Sequence, residues 1–516
     1  MAGTQAPTAE LPDWCEPLYD AARMRAIDRW AIDERGVASL ELMERAGAGV
    51  VRELERLVPD GPVAVVCGKG NNGGDGLVVA RLLRHASREV SVICLGGPDE
   101  LSEDARANLE RLPGPPPLRP DEPPAAGAID RAAVLVDALL GTGFEGSPRG
   151  PALQAIEAIG RAAGRVVSID VPSGVDASTG AVAGTAVVAE LTVTFHAAKI
   201  GLWVHPGKRH AGEVVAIEIG IPRGAPATSG VGLTRPEVLE LLPRRGADST
   251  KFSSGHVVVV GGSAGLLGAP AMASLAAMRA GAGYVTACVP ESQRQILDAQ
   301  QPETMTRALP DAAGALVPQA LEPALAALER AGSLALGPGF GRDPASAELA
   351  RELARRAPVA AVIDADALNA HAGRLTDLAA RSAPTVLTPH AGELARLLGI
   401  DSEEVQRERL ALAREAAERS GAVVVLKGDD TLAVDPAGRV AIGRGGAPAL
   451  ATAGTGDVLS GTIAALLAQG LDAFLAAAAG VCLHAQAGRI AARERGSAEG
   501  VIATDVIAAL PRARRR

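Results

Sequence analysis

Two glycine-rich turns hold the residues best suited to chemistry. The first, Gly68-Lys69-Gly70-Asn71-Asn72-Gly73-Gly74-Asp75-Gly76, follows the apolar run Val63–Cys67 and opens a helical run at Leu77. Strand, tight turn and helix start is the context in which GxGxxG lets the backbone approach a phosphate, with free N–H groups and a positive dipole end facing it. The second turn lies within Ala449–Gly461. There the small residues Ala453, Gly454, Thr455 and Gly456 precede Asp457 and a helix read over roughly Val458–Leu467. Successive N–H groups at such a helix start form a hole for a phosphoryl group in flight. Asp457, read as the cap of that helix, is the candidate base for an attacking hydroxyl.

Other polar residues close apolar runs. Val134–Val136 ends in Asp137, and Val166–Ile169 ends in Asp170 ahead of Val171-Pro172-Ser173. Asn72, Asp137 and Ser173 together offer hard oxygen ligands beside the first turn, suited to a monovalent or divalent cation. The acidic residue that usually closes the next strand to hold a ribose is missing, because Val90–Leu95 ends in Gly96-Gly97. A standard nicotinamide dehydrogenase is therefore disfavoured.

The elements that position these turns read as two α/β units. Helices are expected over Asp20–Glu34 and Leu40–Leu57, with strands at Val63–Cys67, Val90–Leu95, Val134–Val136, Val166–Ile169 and Val214–Ile219. A second series runs His256–Val260, Tyr284–Val289, Leu334–Leu336, Val359–Ile363, Thr385–Leu387 and Val423–Leu426. Apolar runs alternating with Ala-rich helical stretches predict parallel sheets flanked by helices. Pro113–Pro124, with seven prolines, reads as an extended surface loop. The aperiodic Ile221–Gly232 marks the boundary, giving domains of residues 1–225 and 226–516.

Taken with Leu42-Met43-Glu44-Arg45-Ala46-Gly47, the stretches GKGNNGGDG, VDALLGTG and IDVPSG resemble the epimerase domain of the NAD(P)H-hydrate repair enzymes over about residues 18–222. The resemblance implies a Rossmann-like fold, potassium, and interconversion of the R and S epimers of NADH or NADPH hydrated at C6 of the nicotinamide ring. Carried over, Asn71, Asn72, Gly73, Gly74, Asp75, Gly141, Thr142, Gly143, Phe144, Glu145, Gly146, Ser147 and Asp170 contact the damaged cofactor, and Asn72, Asp137 and Ser173 hold potassium. Epimerisation at a carbon bearing nitrogen and hydroxyl can proceed by assisted loss and return of the hydroxyl, with Asp170 as the candidate acid/base. Lys199 reads as a neutraliser of substrate phosphate or as a solvated lysine.

The second turn resembles the anion hole of ribokinase-like folds. The ordered set VVGGS with GAP, GPGFG, DADAL, LTPHAGE and LKGDDT is similar to the dehydratase domain of the same repair system, over about residues 233–510. That likeness implies removal of the added water with ADP in bacterial forms or ATP in eukaryotic ones, and Mg2+ beside the nucleotide. By the same likeness Ala269, Gly339, His390 and Asp457 contact hydrated NAD(P)H, and Lys427, Gly428, Asp429, Asp430, Thr431 and Gly456 hold the nucleotide. ADP is favoured on the Ala/Arg-rich character of the fused chain. Ala447 stands where the family commonly has Asn, which puts nucleotide affinity in question. One of Asp364 and Asp366 is expected to line the site and the other to be solvated.

Composition excludes several classes. The 516 residues carry 51 Lys plus Arg against 60 Asp plus Glu, a net charge of −9, with 47% hydrophobic and 2% aromatic residues. An acidic, aromatic-poor chain lacks the field and stacking platforms that nucleic acid requires. Only Arg512–Arg516 is densely basic and reads as a solvated tail. Five scattered cysteines argue for a reducing compartment, and neither a signal peptide nor an uninterrupted apolar run of about 18 residues is evident. A cytoplasmic homo-oligomer without membrane or nucleic-acid partners is expected. Two alternatives compete with the repair reading. One is a ribokinase-like small-molecule kinase fused to a cofactor-binding domain, which would accumulate a phosphorylated alcohol. The other is a non-catalytic interaction module of the kind that relatives of the N-terminal domain form in RNA-decapping scaffolds.

Overall fold

The computed structural model describes residues 10–514 and divides into two compact units, Pro17–Val231 and a second made of the chain up to Glu16 with Gly232–Arg516. The boundary falls inside the expected aperiodic stretch, six residues later than residue 225. Residues 10–16 group with the C-terminal unit, an association with no signal in the local sequence pattern. Their tie is local: Arg235 N donates to Trp14 O at 2.9 Å, and the Trp14 ring packs on Phe474 at 5.6 Å.

The first unit has six parallel strands: β1 (Val63–Cys67), β2 (Val90–Cys94), β3 (Val134–Ala138), β4 (Arg165–Ile169), β5 (Leu191–Phe195) and β6 (Glu213–Ile217), in the order β2-β1-β3-β4-β5-β6. Helices cover both faces, so β1 and β3 are buried along their whole length, which is why they read as continuous apolar runs. Helices α1 (Ala21–Arg29), α2 (Ser39–Leu57) and α3 (Asn71–His85) matter most for the site. Asp20 caps α1 by accepting from Arg23 N at 2.7 Å, and one π turn, Trp30–Glu34, extends it.

Two expectations need correction here. β5 was not expected, because Thr192 and Thr194 interrupt its apolar pattern; Thr192 is buried by donating to Ala211 O at 2.6 Å. The proline-rich stretch is not purely an exposed loop. Leu118 bridges Ile93 in parallel, and Pro123 opens a helix at Pro123–Arg131, where its missing N–H costs nothing.

The second unit is built on β7 (Val231–Thr234), β8 (His256–Val260), β9 (Tyr284–Pro290), β10 (Met305–Leu309), β11 (Ser333–Leu336), β12 (Ala360–Ile363), β13 (Thr385–Leu387), β14 (Val423–Leu426), β15 (Leu432–Val434) and β16 (Val440–Ile442). Their order is β7-β16-β15-β14-β13-β12-β11-β8-β9-β10. β8 to β14 are parallel to their neighbours, whereas β14-β15-β16 form an antiparallel meander. Helix α4 (Gly268–Arg279) lies against α5 (Thr455–Ala468) so closely that a Cβ on Gly461 would meet Ala273 O at 2.0 Å. Helix α6 (Ala473–Arg495) is long and apolar enough to cross a membrane, but much of it is core: Phe474, Ala476–Gly480 and Leu483 are buried.

The basic terminus is also partly structural. Arg512 pairs with Glu494, and the half-buried Arg514 donates to Ala280 O and Pro243 O. Arg515 and Arg516 lie outside the described residues.

Candidate active sites

In the first unit the functional residues collect at the carboxyl ends of β1, β3 and β4, where an open parallel sheet holds its ligand. Backbone proximity dictates two of the glycines. A Cβ on Gly68 would lie 1.9 Å from Leu139 O, and one on Gly73 would lie 2.1 Å from Gly68 O. The turn is thus wedged between two strand ends, and α3 starts at Asn71 with no acidic residue in its first turn. A cavity of about 1170 Å³ opens there, lined by Asn71, Asn72, Asp75, Gly141–Glu145, Asp170 and Lys199, among others. Gly73 and Gly74 are buried supports outside the lining, and Gly146 and Ser147 are exposed beyond it.

Asp170 follows β4 with φ +68°, a left-handed conformation that a non-glycine residue holds only under constraint. The constraint is its carboxylate. Oδ1 pairs with Lys199 Nζ at 2.7 Å, and Oδ2 accepts Thr142 N at 3.0 Å and the Thr142 hydroxyl. Burial alone would raise its pKa, but Lys199 and Thr142 together hold it below the ordinary carboxylate value. Asp170 is therefore an anion at neutral pH, able to take a proton but carrying none to give. Lys199, at 1% exposure, is neither solvated nor free for a phosphate, because Thr194 Oγ1 at 2.8 Å and Phe195 O at 3.1 Å complete its donors.

Asp137 sits in register between Val66 and Ser168 and is fully buried. Its oxygens accept from Ser173 Oγ (2.5 Å), Ser173 N (2.8 Å) and Ser168 Oγ (2.9 Å). Burial raises its pKa, and these hydrogen bonds offset part of the rise. Asn72 Oδ1 and Nδ2 are buried with no hydrogen-bond partner, and a Cβ on Gly141 would lie 3.1 Å from Asn72 Cγ. Asp28 of α1 also lines the cavity, with its carboxyl raised by burial against the opposing pull of Lys199. Only its place on α1, invisible in motif spacing, brings it there.

In the second unit the ends of β12, β13 and β14 meet the start of α5. Asp364 follows β12 at 1% exposure, accepting from Ser460 Oγ at 2.5 Å and pairing with Lys427 Nζ at 3.0 Å. Lys427 also faces Glu393 Oε2 at 3.6 Å, and Glu393 accepts His390 N at 2.8 Å in a reciprocal cap of the helix Ala391–Leu398. Of the two aspartates, Asp364 lies in this buried network. Asp366 instead accepts Gly341 N at 2.9 Å and fixes the GPGFG loop. That loop meets the one after β8: a Cβ on Gly339 would lie 3.2 Å from Ala269 Cβ, and Ser263 Oγ donates to Gly339 O at 3.0 Å.

Helix α5 begins at Thr455, with Gly454 as its cap at φ +88°, so Asp457 lies within the first turn and is not the cap. Thr455 Oγ1 ties the small-residue loop by donating to Leu450 O at 2.7 Å and Thr452 O at 2.9 Å. Burial first, then the charge of Asp364, pushes the Asp457 carboxyl up to about 7 against the pull of Lys427. A Cβ on Gly456 would lie 3.6 Å from Lys427 Nζ, in ordinary van der Waals contact.

The nucleotide residues named from the motif divide. Asp429 and Thr431 line a cavity of about 90 Å³ with Gly443–Gly446, His484 and Arg489, and Gly428 N donates to Thr431 Oγ1 at 3.2 Å. Asp430 does not face it. It is fully buried in a two-pronged pair with Arg409, Nη2 to Oδ1 at 2.8 Å and Nε to Oδ2 at 2.9 Å, which anchors the loop. Ala447 packs under Gly488, whose notional Cβ would lie 3.0 Å from it. Sequence reasoning passed over Glu393 and Ser460, although both stand inside the quoted motifs. Arg409 and His484 carry no motif signal.

Two glycine-wrapped sites, each at the carboxyl end of a parallel sheet and each ringed by buried carboxylates, define a two-site α/β enzyme. A family model described as YjeF-related protein N-terminus matches residues 39–201, and one described as NAD(P)H-hydrate dehydratase matches residues 257–512. The bifunctional NAD(P)H-hydrate repair enzyme of Moorella thermoacetica is 44% identical over 508 residues, covering 96% of each chain. That of Salinibacter ruber is 40% identical over 526 residues, again covering 96% of each. Among solved structures, the ADP/ATP-dependent NAD(P)H-hydrate dehydratase from Bacillus subtilis, co-crystallised with ATP/Mg2+, is 28% identical, with a TM-score of 0.47 over 55% of this chain and 96% of its own. The chain belongs to the family of bifunctional NAD(P)H-hydrate repair enzymes, with an epimerase unit followed by a dehydratase unit. Full-length relatives of that description displace both the kinase fusion and the scaffold module.

Proposed function

We propose that the C-terminal unit dehydrates the S epimer at the expense of ADP, giving NAD(P)H, AMP and phosphate, and that the N-terminal unit returns the R epimer to that pool. Hydroxide leaves a hydrated ring poorly, whereas a phosphate ester leaves readily. The observation that carries the reading is Asp457, a largely buried carboxyl pushed up to about 7 in the first turn of α5, beside Lys427 and Asp364. Such a group takes a proton from an attacking hydroxyl at neutral pH, while the N–H groups of Ala453 to Gly456 receive the moving phosphoryl. Ala269, Gly339 and His390 would hold the hydrated ring. The cavity beside Asp429 and Thr431, at about 90 Å³, has room for part of an adenine nucleotide only, with the remainder outside it. Its wall includes His484, kept neutral by burial that lowers its pKa to about 4, with Nε2 unpartnered.

Among the described residues no cluster of three His, Cys, Asp or Glu could cage a metal. Mg2+ bound through nucleotide oxygens and one or two carboxylates fits that donor set and would neutralise phosphate charge. In the N-terminal unit the unpartnered Asn72 amide, one carboxylate at Asp137 and the Ser173 hydroxyl make a set of one negative charge with neutral oxygens. Such a set suits a monovalent ion, and potassium there would order the turn for the substrate. The same reading takes the chain as a cytoplasmic homo-oligomer. Its five cysteines, none of them in a disulfide among the described residues, support a reducing compartment, and light scattering tests the assembly.

The experiment supplies pure S epimer with ADP, ATP or no nucleotide and follows NADH absorbance and AMP together. One AMP per NADH with ADP is the expected result. Recovery without nucleotide, or with ATP alone, contradicts the reading. Epimerisation of the R form in potassium against tetramethylammonium tests the ion, and equal rates remove it.

A further inference from the structure

The epimerase pocket contains a second buried carboxyl that the motif places there as a mere contact. Asp75 lies on α3, at 8% exposure, and its side chain lines the cavity. No described residue donates a hydrogen bond to it, in contrast to Asp170, which accepts from Lys199, Thr142 and Thr194. A buried carboxyl without donors is costly as an anion and cheap as a neutral acid.

We propose that Asp75 is the catalytic proton donor and acceptor of this pocket, and that the Lys199–Asp170 pair beside it is a fixed charge. The proposal rests on the epimerase reading of the N-terminal unit. Exclusion among the lining groups supports it. Lys199 has its three N–H bonds committed to Asp170, Thr194 and Phe195 O. Asp170 is held as an anion, and Asn71 and Asn72 have no acidic proton. The other carboxyls of the lining are more open than Asp75: Asp28 and Asp104 are half-buried, the latter accepting from Ser39 Oγ, and Glu145 is exposed. The charged groups that face Asp75 are Asp170, Asp28 and Asp104, which oppose its ionisation, and Lys199, which favours it; with burial, the balance raises its pKa well above the ordinary value.

The chemistry balances without a co-reactant. The Asp75 proton passes to the C6 hydroxyl, the C6–O bond breaks with its electron pair on oxygen, and water departs. The ring nitrogen supplies its lone pair to C6, and the resulting positive charge lies near the Asp170 carboxylate. Water then adds to the other face of C6, and the proton it sheds returns to Asp75 through the cavity water. The ring is neither oxidised nor reduced.

The test uses the full chain with R epimer in water enriched in oxygen-18. Wild type should epimerise with uptake of label at C6. Asp75→Asn, which keeps the shape and removes the acid, should lower kcat by about 10²–10⁴-fold with KM within about threefold. Label uptake should fall in parallel. Asp75→Glu should recover part of kcat, and formate should restore turnover to Asp75→Ala but not to Asp75→Asn. Wild-type kcat in Asp75→Asn, a loss confined to KM, or failure of both Glu and formate would assign Asp75 to packing or binding. Epimerisation without label would overturn expulsion of the hydroxyl. A wild-type chain that does not epimerise at all would remove the epimerase reading itself, which is a distinct result.

Discussion

The dehydratase reaction should follow the ionisation of Asp457. Its carboxyl stands at about 7 because burial and the facing Asp364 oppose its charge more than Lys427 favours it. As a base it works only when ionised, so kcat/KM for the S epimer should rise with pH through that value. With one such group, roughly a tenth is ionised one unit below the midpoint and roughly nine-tenths one unit above, roughly a tenfold rise. Asp364→Asn removes the nearest opposing charge and should shift the acid limb down by about one unit, about 1.4 kcal/mol. Asp457→Asn should lower the rate by at least ~10²-fold and abolish the limb. Initial rates of NADH absorbance recovery from about pH 5.5 to 8.5 at saturating nucleotide measure all three. A flat wild-type profile, or an unmoved limb in the residual activity of Asp457→Asn, would refute Asp457 as the base. Stability has the opposite sign: a pKa raised by folding makes its contribution below the unfolded value, and that contribution is lost as pH rises through 7.

Removing Lys199 leaves Asp170 buried and unpaired, so Lys199→Met should destabilise the N-terminal unit by about 3–5 kcal/mol in denaturant unfolding. The Asp170 pKa should rise once the Lys199 charge is gone, and epimerisation should fall with it. Gly73→Ala drives a Cβ to 2.1 Å from Gly68 O and should abolish epimerisation while dehydration of pure S epimer continues; wild-type epimerisation would show that the turn yields. Arg409→Met strands Asp430 without its partner and should cost about 3–5 kcal/mol in the C-terminal unit, seen as a lowered unfolding midpoint.

The glycine-rich loops were legible because their residues are sequential. Gly68 and Gly73 mark a turn by type alone, and parallel strands such as β1 and β8 are continuous apolar runs. What escaped depends on neighbours distant in sequence. Asp170 and Lys199 follow adjacent parallel strands, β4 and β5, so a lysine that reads as solvated is buried against a carboxylate 29 residues earlier. Missing β5, with its two threonines, hid that adjacency. Asp430 stands inside a nucleotide motif, but Arg409, on a helix 21 residues before it, claims its carboxylate. Nothing in local spacing marks such a pair. The short strands β15 and β16 turn back antiparallel with no helix between them, outside the strand–helix alternation by which the other strands were read.

The central claim is that one chain carries two independent chemistries, and an assay on a mixture of hydrated NADH epimers with ADP tests it most directly. Wild type should recover all the NADH absorbance at the enzymatic rate. Asp170→Ala should recover the S share quickly and the remainder only at the spontaneous rate, whereas Asp457→Asn should recover almost none yet still equilibrate R and S, as chromatography reads it. Loss of both activities in either variant, or full rapid recovery in Asp170→Ala, would contradict two separate sites.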